Sequence, residues 1–358
     1  MNYTYTFPVV KGIQAGRTYY IAMVPLKMIE KLFPAEEEYV QPEYRAQRRL
    51  NTARIPVMSK YIIDNRDTYV FSALAASIDG TFNFIETGTN AETGILEVSM
   101  DARFLINDGQ HRKAAIFEAL DYDETLGDET IPIVFFEDLG LNRSQQIFTD
   151  LNKHAVKTSN SISELYDSRD YIAVATRNAI NKVAFLNTYT DKETDNLGKY
   201  SSNLFTLNTF YKANKRLIGG EHNIEDAETF LIAFWSKVVG NIEPWQELQR
   251  KEISKKELRE AYVVTQGVVI QALGQVGASF NLGTNDLDLL TKLGTINWRR
   301  SALHWRHRAV RNDGRIISNN KAITLIANLI KSYVGIELST DEKQREELFA
   351  KEFGVREE

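Results

Sequence analysis

Strand-like patterning stops partway along this chain, and that boundary limits the folds open to it. Residues 3–10 and 17–24 are rich in Tyr, Thr, Val and Phe and flank a glycine-containing turn at 11–16, which predicts a β-hairpin. Helical patterning follows over 25–33 and 45–63, with Pro34, Pro42 and Pro56 as boundaries. Two short strands are predicted at 81–86 and 94–100 around a Gly/Asn/Thr-rich turn, and a third apolar run at 103–107 stops at Asp108-Gly109. Beyond that stop, Ala114, Ala115, Ile116, Ala119 and Leu120 recur at helical spacing, so the chain reads strand, tight turn, helix. IPIVFF at 131–136 predicts one more buried strand.

From about residue 160 the patterning is helical, over 169–187, 203–218, 225–239, 258–280, 285–293, 299–311, 319–334 and 340–353. The expected fold class is α+β: a domain at 1–160, then a mostly α-helical domain at 161–358. The longest uncharged stretch, 261–285, is interrupted by Gln266, Gln271 and Gln275 at near-helical spacing, which predicts a buried helix of a helical bundle and no membrane span. Gly267, Gly274 and Gly277 within it lower helix propensity, and close contact with a neighbouring helix is the reason expected for them. The opening residues show no basic segment leading into an apolar stretch, so a cytoplasmic location is expected.

The 358 residues contain no cysteine. Disulfide scaffolds, cysteine-ligated zinc or iron–sulfur sites and thiol nucleophiles are therefore excluded. The net charge of -5 hides an uneven distribution, because 1–160 carries 16 Lys and Arg against 22 Asp and Glu while the remainder carries 27 against 26. Arg45, Arg48, Arg49, Arg54 and Lys60 lie in a stretch without an acid, and residues 298–321 hold seven basic residues against the single Asp313. Binding of an anionic partner follows such local potential and not the sum.

The segment with the most chemical content is Asn107-Asp108-Gly109-Gln110-His111-Arg112-Lys113. Glycine allows a sharp turn off a strand, and the unpaired N–H groups that open the next helix, backed by the helix dipole, favour an anion. Arg112 and Lys113 in the first helical turn oppose that dipole and raise the question of a compensating anion. His111 titrates near neutrality, and Asp108 can cap the helix or hold a divalent metal. The plainer alternative, Asp108 as a cap with His111 and Arg112 at the surface, stays open at this point.

DGQHR with two alanines behind it resembles the signature of the DGQHR-domain proteins, relatives of the ParB/sulfiredoxin-like superfamily. Together with NRDTYVFSALAASID at 65–79 and IFTDLNKHAVKTS at 147–159, it resembles the DndB family of bacterial DNA phosphorothioation systems. The resemblance implies a ParB/sulfiredoxin-like N-terminal domain with a mixed sheet. It also implies a phosphate- or nucleotide-binding turn at Asp108, Gly109, Gln110, His111 and Arg112 with Asn152 nearby. The implied function is a double-stranded-DNA-binding repressor of its own modification operon, with other phosphorothioation proteins as further partners. A homodimer is expected by analogy with repressors that read inverted repeats.

Candidate DNA contacts are Arg45, Arg48 and Arg49, at i, i+3, i+4 on one helix face, and Arg299, Arg300, Arg306, Arg308 and Arg311. Pairing of the first group with Glu36, Glu37 and Glu38 is the competing reading. Trp298 and Trp305 are expected in the core, and the basic residues around them to repel one another unless phosphates intervene. His304 and His307 have metal-ligand spacing, but the neighbouring arginines oppose a cation, and no metal site is assigned. Lys153, His154 and Lys157 close a helical stretch, as phosphate-side residues or a solvated helix end. Two alternatives accompany the regulator: an enzyme that hydrolyses a nucleotide or nicks DNA with a divalent metal through Asp108, His111 and Arg112, and a scaffold that presents DNA to the modification enzymes. No P-loop pattern is present for the former.

Overall fold

The computed structural model describes residues 3–34, 51–87, 91–137, 140–153, 158–220, 222–280 and 286–354. The chain divides into two compact units, Met1–Val156 and Lys157–Glu358, and the fold is α+β, with the large sheet in the first and mostly helices in the second.

The first unit is built on a seven-stranded mixed sheet in the order β4-β5-β1-β2-β7-β3-β6. The predicted hairpin is β1 (Thr4–Gln14) and β2 (Arg17–Pro25), closed by Ala15 and Gly16, both at positive φ. β4 (Phe82–Glu86) and β5 (Thr93–Ser99) extend it on one side, and β7 (Thr130–Glu137) pairs with β2 on the other. β3 (Leu74–Asp79) runs parallel to β7 and antiparallel to β6 (Arg103–Asp108). The sequence reading did not mark β3 as a strand, for a physical reason. Leu74 through Ile78 are all buried, so the polar–apolar alternation of a half-exposed strand is missing, and its alanines carry little β signal.

Strand alternation places Phe7, Val9, Ala22, Val24, Leu96, Val98, Ile106, Ile133 and Phe135 on one sheet face, where they form a core with α1 (Leu26–Leu32), α2 (Ile55–Asp64) and α3 (Gln110–Tyr122). On the opposite face, Ser77 and Asn107 are buried and hydrogen-bonded to each other near β6, against which α4 (Leu141–Lys153) packs.

The second unit contains α5 (Asn160–Tyr166), α6 (Tyr171–Lys182), α7 (Ala184–Tyr189), α8 (Leu207–Ile218), α9 (Ile224–Asn241), α10 (Glu243–Gln249), α11 (Lys255–Ala261), α12 (Gly267–Gly277), α13 (Asn320–Val334) and α14 (Thr340–Phe353). A two-residue parallel pair, β8 (Thr190–Asp191) with β9 (Phe205–Thr206), interrupts the helices. The 258–280 stretch is two helices, and 286–295 is 3₁₀. α12 is a buried helix packed on α8 and α13, as expected. A Cβ at Gly274 would overlap the Ala213 backbone, and one at Gly277 the Leu217 side chain, whereas Gly267 has room. Close helix contact thus accounts for two of the three glycines. Among the described residues no helix is long and apolar enough to cross a membrane.

The largest departure from expectation is 299–311, read as a helix. It is a compact irregular segment in which Trp298 and Trp305 stack at 5.4 Å between ring centroids, both buried. Their indole N–H groups donate to the carbonyls of Leu293 (3.1 Å) and Asn297 (2.8 Å), and Arg299 bridges to Tyr262. Burying both indoles with their polar edges satisfied fixes a folded-back path that helical spacing does not reveal.

Candidate functional site

β6 ends at Asp108, and Gly109 turns the chain with φ 104°, in the left-handed region. A Cβ there would also overlap Leu74 Cδ2, so glycine is required by both backbone and packing. α3 starts at Gln110 without a side-chain cap.

Arg112, 15% exposed, sits beneath this turn. Its guanidinium donates to the carbonyls of Ser72 (2.7 Å) and Ala73 (2.6 Å), to Ser72 Oγ (2.5 Å) and to Asp108 Oδ2 (2.6 Å). The anion that offsets Arg112 at the helix start is therefore the chain's own Asp108 carboxylate, one turn earlier. Ser72 and Ala73 lead directly into β3, so one guanidinium ties the entry of β3 to the exit of β6. His111 Nε2 accepts the Asn51 N–H at 2.9 Å. Burial first, and then the nearby Arg54 charge, lower its pKa, which keeps the ring neutral and able to accept that bond. Lys113 Nζ lies 3.5 Å from the Phe33 carbonyl and 5.6 Å from the Phe117 ring centre. The turn brings Asp108, Gly109, Gln110, His111 and Arg112 together. Asn152 falls on α4 with its side chain outside the described residues, as does that of Lys153; His154 and Lys157 lie outside them altogether.

A second network fastens the NRDTY segment. Arg66 binds Glu129, Thr125 (3.1 Å) and Asp123 (3.2 Å), and Tyr69 donates to Glu129. Part of the acidic 121–138 stretch is thereby neutralised by an arginine some sixty positions away in sequence.

In the second unit the 298–315 segment sorts its arginines into two groups. Arg300 donates to the carbonyls of Tyr262 (3.2 Å) and Arg259 (2.7 Å). Arg308 donates to Leu325 O, pairs with Glu346 at 2.5 Å and lies over the Phe349 ring at 4.2 Å. These two are bound into the fold. Arg299, Arg306 and Arg311 are exposed; Arg299 lies 4.8 Å from the centre of the Tyr262 ring, and none of the three has an ion pair among the described residues. Arg315, in the same acid-poor stretch but not singled out by the sequence reading, is also exposed and only loosely paired with Asp313 at 3.7 Å. Its signal was the local charge balance itself. His304 is occupied by the Asn297 carbonyl and the Trp305 and Tyr333 rings, and His307 stacks on Phe353 at 4.3 Å. Among the described residues no three His, Asp or Glu side chains are grouped to hold a metal ion. Arg45, Arg48 and Arg49 lie outside the described residues.

Compared with known families, residues 7–337 match the family model DndB, described as DNA-sulfur modification-associated. No curated protein and no solved structure matches the chain.

Proposed function

This chain belongs to the DndB family, the DNA-sulfur modification-associated proteins, and on that premise we propose that it is a cytoplasmic DNA-binding regulator that represses its own DNA phosphorothioate modification operon. Family membership supplies the sulfur-modification system. The DNA-binding part is carried by one observation: Arg299, Arg306 and Arg311 are exposed on a segment pinned by two buried indoles, while Arg300 and Arg308 of that segment are bound into the fold by backbone carbonyls and Glu346. A pre-ordered set of unneutralised guanidiniums meets phosphates with little ordering cost, and each contact releases counterions from the duplex. A zero-cysteine chain takes part in such a system by binding and regulation and not by carrying sulfur on a thiol. In this reading a symmetric dimer meets the two halves of an inverted repeat, and the other modification proteins remain candidate partners.

The DGQHR turn takes a supporting part in the proposal. Arg112 spends its donors on Ser72, Ala73 and Asp108, and His111 accepts from Asn51, so the turn's side chains act first as struts of the sheet edge. Among the described residues, the groups left for a phosphate are the opening N–H groups of α3, and they are where the enzymatic alternative rests.

Fluorescence anisotropy on duplex DNA from upstream of the operon, against random duplex over a salt series, tests the reading. The expected result is tighter binding to the upstream DNA, weakened in the triple variant Arg299→Ala, Arg306→Ala, Arg311→Ala. Equal affinity of wild type and variant for both duplexes refutes it. Phosphate release from a nucleoside triphosphate, or relaxation of plasmid, in the presence of divalent metal supports the enzyme instead.

A further inference from the structure

The sheet of the first unit has a second face that the described helices leave largely uncovered. Register defines it: Thr93, Val10, Ile21 and Val134 lie side by side across β5, β1, β2 and β7. Ile85, Ile95 and Pro8 form the next row across β4, β5 and β1, and Met23 pairs with Pro132. In an antiparallel sheet with one wet face these alternate positions are normally polar. Here, apart from Thr93, they are apolar, and Val10 and Met23 are 53% and 56% exposed. Tyr19 extends the apolar surface at one end, where its ring lies over the Cα of Gly12 and beside Phe136. The ionised side chains on this face of the five strands lie at its margins: Glu97, in the flanking row with Asn83 and Thr6, and Arg17, paired with Gln14 at the end of the hairpin.

We propose that this face, centred on Val10, Ile21 and Val134, is the contact surface between two copies of the chain. Size and charge identify the occupant. Five strands at about 4.8 Å and some seven residues at about 3.4 Å give roughly 24 by 24 Å, on the order of 600 Å² before side-chain relief. That approaches the ~800 Å² per partner of a stable interface, and it lies at the upper end of the roughly 300–600 Å² that the largest apolar patch of a monomer covers. A single cation, Arg17 at the hairpin end of this face, argues against DNA as the occupant, because a duplex needs several phosphate contacts. An apolar patch with so few charges is complementary to itself, as a two-fold interface requires. The dimer is the form that the regulator reading expects, but the surface is argued from the sheet alone and its test contains no DNA, so either can fail without the other.

Light scattering on the eluted full-length protein reads the result directly. Wild type is expected at twice the chain mass of 40.9 kDa, and Val10→Lys, which places two like charges in an apolar contact, at the single-chain mass. A monomeric wild type at all concentrations overturns the proposal, whether the face is then covered by another protein or left to water. A Val10→Lys variant that stays dimeric overturns it too, by moving the interface elsewhere. Should Val10→Lys fail to fold, the cysteine-free chain permits a gentler probe. Val10→Cys, with a short bismaleimide, is expected to cross-link pairs of chains, while Tyr122→Cys, exposed at the end of α3, does not. The reverse pattern refutes the surface.

Discussion

Replacing Arg112 with alanine separates a strut from an anion cradle. The side chain makes three hydrogen bonds to Ser72 and Ala73 and an ion pair with Asp108, all from a guanidinium that is largely buried. A hydrogen bond from a charged donor is worth ~1.5–3 kcal/mol. Ser72 is exposed and the Asp108 side chain 40% exposed, so water replaces part of that set. The Ala73 carbonyl and the release of the β3 entry carry most of the cost, giving about 2–3 kcal/mol in all. With a urea slope of roughly 1.5 kcal/mol per molar for a unit of this size, the midpoint falls by ~1.3–2 M. Trp fluorescence cannot read this change, because all four tryptophans (Trp235, Trp245, Trp298, Trp305) lie in the second unit. Amide hydrogen exchange of β3, β6 and α3 in graded urea does, with Trp emission certifying that the second unit is intact. Protection of those three elements within about 0.5 kcal/mol of wild type would refute the strut, since loss of the set should cost several times more. The same variant tested on nucleotide then decides whether Arg112 has any duty toward phosphate.

Three further outcomes follow from local geometry. Gly274→Ala should destabilise the second unit by more than about 2 kcal/mol despite a helix-propensity gain of ~1 kcal/mol, because its Cβ overlaps the Ala213 backbone. Gly267→Ala, with only ordinary contacts to Thr209, should be neutral or slightly stabilising, and equal Trp-monitored midpoints for the two variants would contradict the packing argument. Glu164 is pushed up to about 7 by burial and then by Asp195 and Asp170, with Lys212 opposing. A raised carboxyl pKa means the folded state holds a proton that the unfolded chain has lost, so stability declines as pH rises from the usual carboxylate range to about 7 and is level above it. Glu164→Gln should therefore gain stability over wild type at pH 8 and little at pH 4.5; a pH-independent difference would assign the effect to packing. His111 runs the opposite way: a lowered histidine pKa gives stability that is complete above the unfolded value and lost as pH falls through the folded one. His111→Gln should flatten hydrogen-exchange protection near Asn51 between pH 7 and 5, and an unchanged pH profile would show that the ring does not hold that amide.

Local patterns were legible where one residue's environment is set by its neighbours in sequence. Tyr and Val alternation announced β1 and β2, and the switch of period at Asp108-Gly109 announced β6, the turn and α3. What stayed hidden depended on distant partners. β3 lost its alternation because both of its faces are buried, and Arg112 finds its acceptors forty residues upstream. Charge counting grouped Arg300 and Arg308 with their exposed neighbours, because the acceptors that absorb them come from α11 and its C-terminal edge, α13 and α14. A surface arginine and a structural one look alike until the chain folds.

That sorting limits how much DNA affinity the 298–321 segment can supply. Seven basic residues lie between 298 and 321, but Arg300 and Arg308 are bound internally and Lys321 pairs with Glu352 at 2.7 Å. Arg299, Arg306, Arg311 and Arg315 remain. At about 0.9 per neutralised phosphate, four contacts give a slope of roughly -3.6 in log affinity against log salt for one chain, or about twice that for a dimer on two half-sites. Alanine at Arg306 should remove about one unit per chain, whereas Arg308→Ala should lower stability through the lost Glu346 pair and leave the slope of the folded fraction unchanged. A measured slope well beyond that ceiling would require a second set of contacts, and the acid-free stretch with Arg45, Arg48 and Arg49 is then the next place to substitute. If Arg306→Ala and Arg308→Ala change the slope equally, the division into exposed and structural arginines is wrong.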